Sequence, residues 1–303
     1  MTDLTPFAGD VVAATPIETA MLFATSLAPG DPGDLGPYRV LGRLGRDSRG
    51  MYYLGQSPAG LPVGLRVPGP QWLADARNRT ALARTLVAAR RASSVPGAAR
   101  ILHFDLHAPV PFIASEYAGG APVRVVVAQL GPLGSLVVER LAEQVLTVLA
   151  NLHSLGVVHR GVGPDTLLLG PEEPVLIDPG FGPPAGHDPE ESWRFAGPEQ
   201  LRGEPGEASA DLFGVAATLA FAASGCAPFG VPTAHHVLAL TDAWSADLAA
   251  VRSPLRELLR DCLAPDPRLR PTAAEALVRL GCPAPPGSGS GALARTLGRR
   301  RAG

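Results

Sequence analysis

Near residue 120 the chain changes its hydrophobic period, and no other feature restricts its architecture as much. Before that point, short apolar runs alternate with turns that carry glycine or proline. Tyr38–Leu44 and Gly50–Gly55 read as a hairpin, Pro62–Val67 as a third strand, and Arg100–Leu106 and Pro111–Glu116 as two more. One Ala-, Leu- and Arg-rich stretch, Trp72–Ala92, reads as a helix among them. After residue 120, Leu141, Val145, Val148, Leu149 and Leu152 form a helical stripe that Gly156 ends. Ala208–Ser224 reads as a helix apolar all round, suited to the middle of a core. Leu255, Leu258, Leu259 and Cys262 share a face, and Thr272 with Glu275 forms a capping box closed by Gly281. The expectation is an α+β protein with a small β-rich lobe followed by a larger helical lobe.

Residues 1–36 read as an irregular N-terminal extension, 37–282 as the folded domain (lobes about 37–117 and 118–282), and 283–303 as a disordered Arg-rich tail. The 303 residues carry a formal net charge of −2, so charge gives no case for nucleic acid as a partner. No apolar run reaches the roughly 18 residues that span a bilayer, which argues against a membrane. Cys226, Cys262 and Cys282 are far apart without metal-ligand spacing and read as reduced thiols of a cytoplasmic protein. All 26 basic residues are arginine. With so much Gly and Pro this suggests a high-GC bacterial genome, and it leaves no lysine for catalysis or phosphate binding.

Several segments occur in a fixed order. Leu41-Gly42-Arg43-Leu44-Gly45 opens the hairpin, and Val63-Gly64-Leu65-Arg66 forms the third strand. Glu116-Tyr117, Val158-His159-Arg160-Gly161, Ile177-Asp178-Pro179-Gly180 and Gly197-Pro198-Glu199 follow, and Asp266-Pro267-Arg268-Leu269-Arg270-Pro271 comes last. Together they resemble the Gly-rich loop, V-A-I-K strand, hinge, V-H-R-D, I-D-F-G, A-P-E and D-P-x-x-R-P elements of the bacterial eukaryotic-like Ser/Thr protein kinases. The resemblance spans residues 38–281 and implies a two-lobed protein-kinase-like fold.

The same alignment shows what has been lost. Arg66 stands at the phosphate-binding lysine, and Thr85 at the helix glutamate that would pair with it. In the loop Gly45-Arg46-Asp47-Ser48-Arg49-Gly50 the middle glycine is Asp47, a negative charge facing where a polyanion would lie. Tyr52 replaces a small residue above the adenine position. The H-R-D base is Gly161, the lysine two residues on is Gly163, and the metal-binding asparagine is Thr166. Asp165, weighed as a displaced base, fills a position that does no chemistry in the family. Asp178 keeps the metal-binding carboxylate of D-F-G. With no phosphates and no second ligand it reads as an unpaired bystander whose removal costs little stability. Pro179 removes the packing phenylalanine. Between Asp178 and Glu199 the one hydroxyl is Ser192, which gives little support for regulation by phosphorylation there.

Scaffold residues are kept. The resemblance gives His159 and Arg160 the task of bracing the catalytic loop, Asp211 that of anchoring a central helix to it, and Glu199 and Arg270 that of a buried ion pair. The implied function is a pseudokinase, a regulatory or protein-binding module whose partner is a protein, a kinase or its substrate among the candidates. No cofactor is expected beyond weak ATP/Mg. The alternatives are a weakly active or atypical ATP-dependent Ser/Thr kinase or transferase, and a nucleotide sensor that does not hydrolyse.

Overall fold

The structure is a computed structural model. It describes residues 15–47, 49–92, 94–170, 172–181, 192–204, 206–230, 238–239 and 245–284. Six strands form the N-terminal sheet: β1 (Asp34–Leu35), β2 (Tyr38–Asp47), β3 (Gly50–Gln56), β4 (Pro62–Pro68), β5 (Ile101–Asp105) and β6 (Phe112–Glu116), in the order β1-β2-β3-β4-β6-β5. The hairpin runs further than its sequence pattern suggests. Asp47 pairs with Gly50, which carries the ladder of the hairpin to its tip. Gly50 has φ 132°, and a Cβ there would stand 2.1 Å from the Val67 carbonyl oxygen, so only glycine fits.

The expected single helix over 72–92 is two, α1 (Pro70–Leu73) and α2 (Ala76–Arg91), because Asp75 caps the second by accepting from the Arg77 N–H. The outer face of the sheet buries Leu35, Tyr38, Tyr53, Leu65 and Phe112. The face toward α2 buries Leu82, Leu86, Ile101 and Ile113.

The N-terminal extension is not irregular from Thr15 onward. Pro16–Met21 is a short helix with a Thr15/Glu18 capping box, and Thr25 bridges to Arg43 of β2. Asp31 accepts from the Arg43 guanidinium at 2.6 and 2.8 Å and from the Tyr53 hydroxyl at 2.8 Å. Those charge-assisted bonds tie the segment to the sheet and hold the Asp31 carboxyl well below the usual carboxylate range. The Arg-rich tail lies outside the described residues apart from its first positions.

The second lobe contains β7 (Ala121–Pro122), β8 (Leu167–Leu169) and β9 (Pro174–Leu176) in one small sheet. Its helices are α3 (Val123–Leu130), α4 (Ser135–Ser154), α5 (Pro198–Leu201), α6 (Ala208–Ser224), α7 (Leu255–Cys262) and α8 (Ala273–Arg279). The stripe Leu141, Val145, Val148, Leu149 and Leu152 is buried, as its period requires. Helix α6 is buried on all sides from Ala210 to Ala222. Its Gly214 brings it close enough to the Val162 carbonyl that a Cβ would stand 2.5 Å from that oxygen. Among the described residues no helix is long and apolar enough to cross a membrane.

Candidate active site

The cleft between the lobes is filled by the chain's own charged side chains. Arg66 on β4 is 2% exposed, and its guanidinium donates to the carboxylate of Asp178, which is 7% exposed. A second Arg66 nitrogen reaches Asp47 at 3.1 Å. Arg49, from the hairpin tip, turns inward and donates through Nε to Asp47 at 3.1 Å, and lies 3.9 Å from Asp178. Two arginines and two aspartates thus form one network across both lobes, buried at Arg49, Arg66 and Asp178 and partly exposed at Asp47. Burial works against the Asp47 carboxylate, yet Arg49 and Arg66 outweigh it and hold its pKa below the ordinary value. For Arg66, burial is likewise overcome by Asp178 and Asp47, which fix its positive charge.

Tyr52 completes the filling. Its ring lies 4.6 Å from the Arg66 guanidinium, a cation–π arrangement. A Cβ on Gly64 would stand 2.1 Å from the Tyr52 hydroxyl and 3.1 Å from the Ser115 hydroxyl, so the missing side chain at 64 is what makes room for the ring. Burial and the Asp178 charge push the Tyr52 phenol well above its usual range. Ser115 immediately precedes Glu116 and Tyr117, which lead out of β6 into the second lobe. Glu116 is exposed, and Tyr117 lines a cavity of about 360 Å³ with Val95, Pro96 and Val175.

The loop carrying the H-R-D-like segment is built on backbone and scaffold bonds. Asp211 accepts from the His159 N–H at 2.8 Å, the Arg160 N–H at 2.6 Å and His153 Nε2 at 2.8 Å. Arg160 and Asp178 both adopt left-handed φ, 62° and 59°, a conformation costing non-glycine residues about 1–3 kcal/mol that persists only where surroundings impose it. Thr166 donates to the Gly161 carbonyl at 2.8 Å and accepts from the Gly163 N–H at 2.9 Å, so its hydroxyl serves the loop and not Asp178. Asp165 is held bidentate by Arg124 at 2.8 Å for each bond, which removes it as a free base. The space beside Gly161 amounts to about 30 Å³, about one water.

The residues present do not fit a magnesium-bound nucleotide. The one carboxylate kept for the metal is already paired with a buried guanidinium, and the asparagine position bonds its own loop. Arg49 and Tyr52 stand where resemblance puts phosphates and base. Among the described residues no group of three or more His, Cys, Asp or Glu is placed to hold a metal ion.

Two contacts escaped the sequence reading. Thr85, in place of the helix glutamate, accepts a hydrogen bond from Arg160, so α2 is tied to the loop carrying the H-R-D-like segment and not to Arg66. Phe181, two residues after Pro179, packs edge-on against Trp72 with centroids 4.9 Å apart and joins the Leu82–Leu86 cluster. The packing ring lost at Pro179 is therefore supplied from Phe181. Gly180 allows it by letting the chain pass within contact of Leu82 and Thr85.

His159 is fully buried, donates through Nε2 to the Ile177 carbonyl at 2.9 Å and accepts the Gly161 N–H at Nδ1. Burial pushes its pKa below 6.5. The unfolded chain therefore binds more protons than the folded one just below pH 6.5, and stability falls as pH drops through that range. Melting curves between pH 7.5 and 5.5 should show this loss, with a shallower slope in His159→Gln. Equal slopes in the two proteins would remove His159 as the source.

Comparison with known proteins agrees with this layout. The protein kinase domain family matches residues 100–279. The chain belongs to that family. Arg66, Thr85 and the hairpin lie before the matched residues. The chain is 34% identical over 261 residues to the probable serine/threonine-protein kinase PkwA of Thermomonospora curvata, covering 84% of this chain and 35% of that protein. It is 30% identical to the serine/threonine-protein kinase AfsK of Streptomyces griseus, covering 78% of this chain and 30% of that one. The chain thus spans about a third of the length of these relatives. The crystal structure of the Mycobacterium tuberculosis PknI kinase domain superposes with a TM-score of 0.68 at 23% identity, covering 84% of this chain and 99% of that one, which establishes the two-lobed kinase fold.

Proposed function

We propose that this kinase domain is a pseudokinase: it transfers no phosphoryl group and acts by binding and regulating another protein. The reading rests above all on the largely buried network of Arg66, Asp178, Asp47 and Arg49, which supports a cleft whose phosphate and metal space is taken by side chains. Kinase catalysis depends on electrostatic positioning of phosphates and magnesium, and a site already neutralised from within has neither room nor charge to offer them. Loss of the base at Gly161 acts in the same direction. The scaffold bonds through Asp211, Glu199 and Arg270 are those a binding module needs to keep its shape. Its three free cysteines suit the cytoplasm. A nucleotide sensor would need the same cleft open, and Tyr52 and Arg49 weigh against it.

ATP with magnesium should leave the melting temperature unchanged, because only a ligand that binds the folded state raises it. Radiolabelled ATP should label neither the protein nor generic substrates. Gly161→Asp should be equally inactive, since catalytic groups that act as a unit are not restored singly. A magnesium-dependent thermal shift together with labelling of substrate would overturn the proposal.

A further inference from the structure

The outer face of α2 has features that folding does not call for. The helix carries five arginines and no acidic residue. Arg77, Arg84 and Arg91 follow one another at seven-residue spacing, which places them along one face over about 21 Å. All three are exposed, and neither they nor Arg90 have an ion-pair partner among the described residues. Arg90 and Arg91 suit the negative end of a helix. Arg77 does not, because it stands in the first turn, where the helix dipole disfavours a cation.

Beside this face lies a groove of about 600 Å³ between α2 and the end of β5. Its walls are chiefly apolar, from Ala76, Ala83, Val87, Phe104 and Leu106, and Val87 is 42% exposed within it. The one carboxylate at the rim, Asp105, is engaged by the N–H groups of His107 and Ala108 at 2.8 and 3.0 Å. An apolar slot of this size bordered by unpaired cations fits a ligand that brings both a bulky apolar side chain and flanking carboxylates.

We propose that this face docks an acidic amphipathic helical segment of another protein, with an apolar anchor in the groove and carboxylates against Arg77, Arg84 and Arg91. A nucleic acid fits less well: setting aside the five arginines of α2, the chain has 21 arginines against 28 carboxylates, so a longer polyanion meets repulsion beyond the helix. The proposal rests on the protein-binding part of the function above and gives that partner its chemistry. It also connects the partner to the cleft, because the buried side of α2 holds Arg160 through Thr85 and packs Leu82 on Gly180.

The test uses the whole chain and fluorescence anisotropy of a labelled synthetic helix bearing glutamates at seven-residue spacing around leucine and phenylalanine anchors. The wild-type chain should bind it, more weakly at high salt. The R77E/R84E/R91E variant should bind it about tenfold or more weakly, and so should Val87→Glu. A peptide with lysines in place of the glutamates should bind the charge-reversed variant and not the wild type, which also shows that the variant is folded. The docking face is refuted by no binding, by equal binding after charge reversal, or by equal binding of a peptide whose anchors are serine. Binding of oligothymidylate or of phosphatidylserine vesicles as tight as the peptide's refutes the choice of partner. Each of those results leaves the pseudokinase reading standing if ATP still causes no thermal shift, whereas phosphorylation of the peptide refutes that reading and not the docking face.

Discussion

Asp178→Ala is expected to unfold the protein at a markedly lower temperature, although in a kinase that uses this carboxylate to hold magnesium the same change would chiefly affect metal binding. The substitution leaves Arg66, buried at 2% exposure, with Asp47 at 3.1 Å as its remaining carboxylate, and Asp47 is shared with Arg49. Removing one member of a buried ion pair costs on the order of 3–5 kcal/mol, a large part of the roughly 5–15 kcal/mol by which a domain is stable. At about 2–4 °C per kcal/mol for a domain of this size, the shift is easily measured. Alanine also fits the φ of 59° poorly, so Asp178→Asn separates the effects: asparagine tolerates that conformation and still accepts from Arg66, but carries no charge. The Asp178→Asn loss should be smaller yet clear. Adding Arg66→Met to Asp178→Ala should recover part of it, because the under-compensated guanidinium is then gone and Asp47 keeps Arg49. If Asp178→Ala melts with the wild type, the network is not a structural element and the case for a self-filled cleft fails.

Arg270→Ala should be at least as damaging. The Arg270 guanidinium bonds both oxygens of Glu199, at 2.7 and 2.9 Å, and donates to the carbonyls of Ala264 and Ser209 at 2.8 and 3.1 Å. It also lies 5.0 Å from the centre of the Phe213 ring, in the middle of the helical lobe. Truncation strands the buried Glu199 charge and two carbonyl acceptors together, again on the order of 3–5 kcal/mol or more. Arg270→Lys should rescue little, since an ammonium cannot reproduce the two-pronged geometry. Soluble yield and urea unfolding of the three proteins provide the measurement. A wild-type unfolding midpoint for Arg270→Ala would show that the lobe does not depend on this pair.

Much of the site could be read from residue types alone. Gly161 has no side chain to act as a base in any fold, and a chain without lysine has none at position 66. The Glu199–Arg270 pair is expected from sequence and found in the structure. Asp178 is the correction. In sequence it stands next to no cation and reads as an unpaired remnant; its partner Arg66 is 112 residues away, and only the approach of the two lobes joins them. Thr85 misled in a similar way. As the replacement for a glutamate it reads as a loss, whereas its small side chain admits Arg160 and makes a different bond between the lobes.

The sequence by itself determined the lobe order, the buried stripe of α4, the fully apolar α6 and the catalytic side chains that are missing. Period and residue identity are local properties, and no packing can supply a carboxylate that the chain lacks. Only the tertiary structure decided what became of the vacated space. Whether Tyr52 points inward depends on the absent Cβ of Gly64 on the neighbouring strand, and whether Asp47 is repelled or neutralised depends on Arg49 and Arg66 arriving beside it. Those outcomes are set by long-range contacts in a low-dielectric cleft. There a charge is stable only when an opposite charge is brought within bonding distance, and sequence spacing does not record which charges the fold will bring together.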